Sequence, residues 1–361
     1  MKILYLSAGN SIHTVKWANA MINRGHEVFV IACKDHVEGS NKFDERVNVS
    51  YLKLSSGLGY YLNAIQLKKM VKKISPDVIN AHYASGYGTL ARLAGLKNYL
   101  LNVWGSDVYD FPNESNFKRK MVIKNLKSAK YIASTSHSMA KETNKYTDKD
   151  IYVTPFGVDI QKFDKLNVDR EDKFIFCTVK TLAPKYGITG MVRAFKLFLD
   201  KLSESEQLKV EYHIYGGGEQ KEEVENLIKE LGLQDKVFLK GYVPNDQVPV
   251  VINKCDVFLL KSELDSESFG VAAVEAMACY KPVIASNISG FLEVIEDGVS
   301  GIIVDKNDLE TYANKMFELY NDKERRESLG KEGRKRVEKL FDWNKNVDTM
   351  LEIYQMMVKS K

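Results

Sequence analysis

Glu267 and Glu275 stand eight positions apart in DSESFGVAAVEAMACYKPVIAS, residues 265–286, one just before a Phe-Gly turn and the other inside an alanine-rich run. The run GVAAVEAMAC predicts a helix whose first N–H groups, backed by the helix dipole, attract phosphate or diphosphate. Gly270 would let such a ligand approach the backbone closely. Glu267 then faces the ligand at the mouth of the site, and Glu275, one to two turns into the helix, accepts hydrogen bonds from ribose hydroxyls. The spacing puts one carboxylate at each end of a nucleotide-sugar, with the diphosphate between them. The plainer alternative is a solvated loop carboxylate and a polar helix face.

Holding those groups in place requires a sheet. KILYLS, EVFVIA, VNVSYL, DVINAHY, YLLNVWG, YIASTS and IYVTPFG are short β-rich runs separated by helical patterns, which argues for βαβ units and a parallel sheet. After PFGVDIQKF the chain turns polar, and the alternation restarts with FIFCTVKT, VEYHIYGGG, VFLKGYV, DVFLLKS, PVIAS and GIIV. The boundary is expected in the charged linker near residues 160–172, giving a first domain over 1–165 and a second over 166–342. The last stretch, about 343–361, has helical apolar spacing. At 361 residues, two domains also follow from a prior of about 150 residues each. The expected fold is α/β, with two Rossmann-like, doubly wound parallel-sheet domains facing a central cleft.

Composition narrows the function classes. Hydrophobic residues at 44% and charged residues at 28% describe a chain that buries a core. Cys33, Cys177, Cys255 and Cys279 are scattered beside apolar runs and read as buried thiols of a reducing compartment. Neither they nor the histidines (His13, His26, His36, His82, His137, His213) have metal-ligand spacing, so no metal is expected. MKILYLSAGN reads as a first strand rather than a signal peptide, and no apolar run approaches the roughly 18 residues of a membrane helix. A cytoplasmic location follows. Residues 1–165 hold 24 Lys/Arg against 14 Asp/Glu, and the remainder 28 against 34. The basic first half contains two amphipathic segments, 67–74 and 117–130, that suit anionic lipid headgroups; solvated helices packed on their own sheet are the alternative. No recognition motif or aromatic interleaving supports nucleic acid.

ESFGVAAVEAMACYKPVIAS resembles the E-x7-E signature of the family 4 retaining glycosyltransferases, which have the GT-B fold. RGHEVFVIA, VTPFGVDIQKF, YGGGEQKEEVENLIKELGLQDKVFLKGYV and SGFLEVIEDGVSGIIV resemble further landmarks of that family in the expected order, over nearly the whole chain. The resemblance implies a C-terminal domain that binds an activated sugar nucleotide, an N-terminal domain that binds the acceptor, and a final helix that packs back on the N-terminal domain. It places Glu267 on the donor sugar's hydroxyls and Glu275 on the ribose. Backbone around Phe269, Gly270 and Val271 would hold the donor, with Gly9 approaching the phosphates from the other domain. Gly216 makes a turn beside the donor, and backbone near Gly241, Tyr242 and Val243 would select the base.

Two departures matter. The family's Arg and Lys, five residues apart, fall on Thr181 and Tyr186 in VKTLAPKYG, whereas Lys180 and Lys185 keep the spacing one residue earlier. These lysines are expected to stabilise the departing nucleoside diphosphate; two exposed lysines flanking a turn are the alternative. In NVWGSDVY, Trp104 stands near the family's histidine position. Asp107 there either serves the acceptor hydroxyl as orienter or general base, or caps a helix. His13 faces the cleft on the acceptor side or sits at a helix end. The implied activity is metal-independent, retaining transfer of a hexose or N-acetylhexosamine from a UDP-sugar. The implied acceptor is a saccharide or polyprenyl-linked saccharide in surface polysaccharide or glycolipid assembly. A sugar-nucleotide epimerase of the same fold and a non-catalytic nucleotide-sugar binder are the alternatives.

Overall fold

The computed structural model describes residues 1–39, 41–170 and 172–360. It divides into two units, Met1–Phe156 with the chain from Asn344 onward, and Gly157–Trp343. The first unit holds β1 (Lys2–Leu6), β2 (Glu27–Ala32), β3 (Asn48–Tyr51), β4 (Val78–His82), β5 (Leu100–Val103), β6 (Tyr131–Ser134) and β7 (Ile151–Val153). They pair in the order β3-β2-β1-β4-β5-β6-β7, every pair parallel. The second holds β8 (Phe174–Val179), β9 (Val210–Tyr215), β10 (Val237–Gly241), β11 (Val257–Leu260), β12 (Val283–Ser286) and β13 (Ile302–Val304). Its order is β10-β9-β8-β11-β12-β13, again all parallel.

β5 and β11 are buried at every position, as befits a parallel sheet covered on both faces. The core of the second unit centres on aromatic rings. Phe176 meets Phe198 at 5.1 Å and Phe195 meets Tyr212 at 5.4 Å between centroids. In each sheet the winding reverses once, between β1 and β4 and between β8 and β11. The carboxyl ends of the strands at such a reversal leave a crevice that the crossover connections do not fill.

The division after Phe156 lies upstream of the linker expected from composition. Residues 157–165 are held by the second unit because their backbone is paired there: Val158 N–H donates to the Phe341 carbonyl at 2.8 Å, and the Arg334 guanidinium donates to the carbonyls of Ile160 and Phe163. The final helix, Trp343–Lys359, packs within the first unit. Its buried Tyr354 hydroxyl accepts from Asn80 Nδ2 at 2.6 Å and donates to Tyr5 at 3.2 Å, and Asp348 pairs with Arg24 at 2.9 Å.

The two basic segments are helical, within Ala64–Ile74 and Asn116–Ser128. Part of each apolar side packs inward, while Phe117 at the start of the second segment is exposed. Leu67 is buried, as are Met121, Val122 and Leu126. Among the described residues no helix is long and apolar enough to cross a membrane.

Candidate active site

In the second unit, β8 and β11 flank the reversal, and Lys180 and Lys261 are the first residues past their carboxyl ends. The Lys180 Nζ donates to Glu267 Oε2 at 2.9 Å, with only 14% and 10% of the two side chains exposed. It also lies 4.5 Å from the centre of the Tyr186 ring. Burial works against this ammonium, but the attraction of Glu267, Tyr186 and Glu275 and the hydrogen bond to Glu267 raise its pKa above the usual lysine value. Lys180 is therefore a fixed cation held among two carboxylates and a phenol. Thr181, at the position where the resemblance places an arginine, is exposed.

Lys185 is not beside Glu267 in the same way. Its Nζ lies 5.6 Å from the same Tyr186 ring, and its carbonyl accepts from the Glu263 N–H at 2.8 Å. That bond ties the loop after β8 to the loop after β11. Lys261, almost fully buried, pairs with the Glu263 carboxylate, and Lys306 Nζ donates to the Glu263 carbonyl at 2.7 Å. Both loops are thus held by charged groups at their bases.

Glu275 is buried within the helix Val271–Ala278. The glycine before that helix has a different reason from the one its sequence suggests. Gly270 has φ 73°, and a Cβ there would come 2.7 Å from the Phe291 ring. Glycine is required there by its left-handed backbone and by the close packing of Phe291. Phe269 is spent on the core, edge-on to Phe341 at 5.5 Å, while Val271 and Val243 are half-buried. Gly216, at φ 145°, has a similar explanation: a Cβ would collide with the Lys180 carbonyl, and its N–H already donates to Gly241 at 2.8 Å. It serves the site by letting the Lys180 backbone pass. Ser266, next to Glu267, was not singled out by motif. Its buried hydroxyl finds no hydrogen-bond partner among the described residues.

The first unit gathers a second group of residues at the carboxyl ends of β1, β4 and β5. His13 is half-buried and stacks on Phe156 at 3.7 Å with ring planes 11° apart. Trp104 meets both edge-on, at 5.8 and 5.4 Å, and leans on His82 at 4.1 Å. His82 shares a hydrogen bond with the Ser7 hydroxyl at 2.8 Å, and Ser7 with Thr14 at 2.7 Å. Gly9, expected near phosphates, uses its own N–H on the His36 carbonyl at 3.0 Å.

Asp107 is buried, and its carboxylate accepts three backbone N–H bonds: Ala84 at 2.7 Å, Trp104 at 3.0 Å and Gly105 at 2.9 Å. Burial raises its pKa, opposed by those donors. Its oxygens are engaged in tying the loop after β5 to the loop after β4, which leaves little of the carboxylate to take a proton from an acceptor. That second loop passes through Tyr83 in a left-handed conformation, φ 68°, which costs strain in a bulky residue and is found where geometry is set for a ligand. Tyr83 also borders a cavity of about 610 Å³ with Asn10, His36, Tyr60, Tyr87 and Phe111, a volume ordinary for a small-molecule site.

His82 makes this group sensitive to acid. Burial, then the charge of His13, lowers its pKa from 6.5 to about 3. The unfolded chain takes up a proton below 6.5 that the folded chain refuses, so the stability contributed by neutral His82 is whole above that value and is lost as pH falls toward 3. At pH 4 the loss amounts to about 3 kcal/mol. Urea unfolding of the wild type and of His82→Gln between pH 7 and pH 4 measures it. Parallel pH dependences for the two proteins would show that His82 does not stay neutral.

Residues 159–336 match the family described as Glycosyl transferases group 1, and residues 2–136 match the one described as Glycosyl transferase 4-like. The chain is 28% identical over 321 residues to an uncharacterised glycosyltransferase of Methanocaldococcus jannaschii, covering 85% of this chain and 84% of that one. It is 26% identical over 320 residues to the UDP-Gal:alpha-D-GlcNAc-diphosphoundecaprenol alpha-1,3-galactosyltransferase of Escherichia coli, covering 82% and 80%. Among solved structures, that of Anabaena HepE in complex with UDP and glucose superposes with a TM-score of 0.80 at 18% identity, over 99% of this chain and 100% of that one.

Proposed function

The chain belongs to the glycosyltransferases of the group 1 family and has the GT-B fold, and from that premise we propose that it is a retaining transferase of a hexose or N-acetylhexosamine. The donor is a UDP-sugar held by residues 157–343. The acceptor is a saccharide or lipid-linked saccharide held by the first unit, in surface polysaccharide or glycolipid assembly at the inner face of the cell membrane. The observation that carries this reading is the Lys180–Glu267 pair, nearly buried at the winding reversal of the second unit, with Glu275 close enough to act on the same lysine. A relative that uses a UDP-sugar and a lipid-linked acceptor, and a structural neighbour with UDP and glucose bound, support the choice of substrates.

In this reading the bond between the anomeric carbon and the diphosphate oxygen breaks as the acceptor oxygen bonds to that carbon on the same face. The acceptor's proton leaves with the released diphosphate. Lys180, with Lys185 near the same Tyr186 ring, stabilises the charge that develops on the leaving oxygen, so transfer proceeds without an added metal. Glu267 orients both Lys180 and the sugar hydroxyls. Glu275 holds the ribose, and the free hydroxyl of Ser266 is available to the donor. His13 and Trp104 shape the acceptor side with the aromatic cavity, while Asp107 positions its loops.

A thermal-shift panel with UDP, GDP, ADP, CMP and NAD tests the donor side. UDP raises the melting temperature of the wild type, and Glu275→Ala weakens UDP binding about 10- to 100-fold, the worth of a hydrogen bond to a charged group. A wild type that responds to none of the five would remove the proposal's foundation. The anomeric coupling in the proton spectrum of the product then reports retention.

A further inference from the structure

The aromatic cavity of the first unit holds an imidazole whose hydrogen bonds are settled by its surroundings. His36 follows β2 and borders that cavity of about 610 Å³. Its backbone is fixed by Gly9, whose N–H donates to the His36 carbonyl at 3.0 Å and where a Cβ would come 2.7 Å from that oxygen. Its ring is fixed by Tyr87, in the helix Gly86–Leu93, with Nδ1 2.7 Å from the phenol oxygen. Tyr87 is 2% exposed and already accepts from the Cys33 N–H at 3.1 Å. Burial raises its pKa, so the phenol keeps its proton and needs an acceptor for it. The Cys33 sulfur in reach is a weak acceptor, whereas the imidazole Nδ1 is a full one. Nδ1 therefore carries the lone pair and Nε2 the hydrogen. That Nε2–H has no hydrogen-bond partner among the described residues.

The walls around it suit one kind of guest. Tyr60 and Tyr87 meet edge-on at 5.3 Å, each tilted 50° to the His36 ring. The Tyr60 ring lies so close over Gly86 that a Cβ there would come 2.5 Å from it. Phe111 and the strained Tyr83 border the same space. These rings offer apolar surface, while Asn10, Ser11 and Ser106 offer neutral polar groups. Among the described residues no Asp or Glu borders the cavity, and Lys118, which does, is paired with Glu114. An anion entering would lose hydration without meeting a free countercharge. A hydrocarbon tail would leave the His36 N–H and the hydroxyls unpaired. A pyranose ring, apolar on its faces and polar at its edge, avoids both costs.

Resting on the reading of the first unit as the acceptor side, we propose that this cavity is the subsite for a neutral pyranose ring of the acceptor. His36, set in one tautomer by Tyr87, selects that ring by donating from Nε2–H to one of its oxygens. The probes are the methyl glycosides of glucose, galactose, mannose and N-acetylglucosamine, with glucose 1-phosphate as the anionic control. They are added to the full chain with UDP present, and binding is followed by saturation-transfer difference NMR. At least one methyl glycoside binds, and its affinity falls about 2- to 10-fold in His36→Ala, the worth of one neutral hydrogen bond. His36→Gln, which keeps a donor, recovers part of the loss. Tyr87→Phe tests positioning: the imidazole nitrogen-15 shifts of His36 change from one tautomer to a mixture, and sugar binding falls with them. Ser106→Trp, at an exposed position bordering the cavity, fills the space and abolishes binding even if the His36 variants fail to fold, which far-UV circular dichroism melts check. Wild type that binds none of the methyl glycosides, a folded His36→Ala or Ser106→Trp that binds as wild type does, or glucose 1-phosphate bound more tightly than methyl glucoside would each overturn the proposal. Thermal shift with UDP separates the two readings. A UDP response without a methyl glycoside response refutes the subsite and leaves the donor site standing, whereas loss of both removes the enzymatic reading itself.

Discussion

Lys180→Met lowers kcat about 10²- to 10³-fold, the loss that follows removal of one fixed group from the site where charge develops. The effect is large because the ammonium is already in place: nearly buried, hydrogen-bonded to Glu267 and kept charged despite burial. Little reorganisation remains to be done when the diphosphate departs. Steady-state kinetics with the donor identified by thermal shift measures the change, and a kcat equal to wild type would dismiss Lys180 as the leaving-group cation. Lys185→Met has a smaller effect, since that ammonium stands farther out from the same ring. Glu267→Gln and Lys180→Met combined lose less than the sum of the single losses, because each single change already strands the other partner.

The second large effect is on stability. Asp107→Ala leaves the N–H groups of Ala84, Trp104 and Gly105 without their acceptor in a buried place, at a cost of about 3 kcal/mol or more. Asp107→Asn loses less, since one side-chain oxygen remains to accept. Chemical denaturation gives the stabilities, and kinetics of the Asn variant separates two roles. A general base replaced by an amide loses most of its turnover whether or not the fold is kept. A loop tether instead loses activity only in step with the distortion of its loops. A collapse of kcat in a fully stable Asn variant would return Asp107 to the chemistry.

How much of this was legible in the sequence depends on the range of the interaction. The alternation of β-rich runs with helical patterns is local, and strands β1 to β13 lie where those runs are. The linker expected at 160–172 was read from polarity, which is also local, whereas the observed division rests on Phe163 and the backbone of 158–163 being held by residues from 334 to 342. The glycines at 216 and 270 were visible as glycines, but their reason was not. In each case the neighbour that excludes a Cβ comes from elsewhere in the chain, Lys180 for the one and Phe291 for the other.

By itself the sequence determined the fold class and the family and drew attention to the carboxylates and lysines, because motif spacing and hydrophobic periodicity are properties of short stretches. Only the tertiary structure decided which of these residues meet. Lys180 and Glu267 are 87 residues apart in sequence and touch because β8 and β11 are neighbours at the winding reversal, with both loops leaving from carboxyl ends. The same holds for Asp107, which binds N–H groups after both β4 and β5, and for the exposure of Leu58, Leu62 and Ile65. Those leucines and the isoleucine have core-like identities, and only the completed packing of the first unit leaves them facing out.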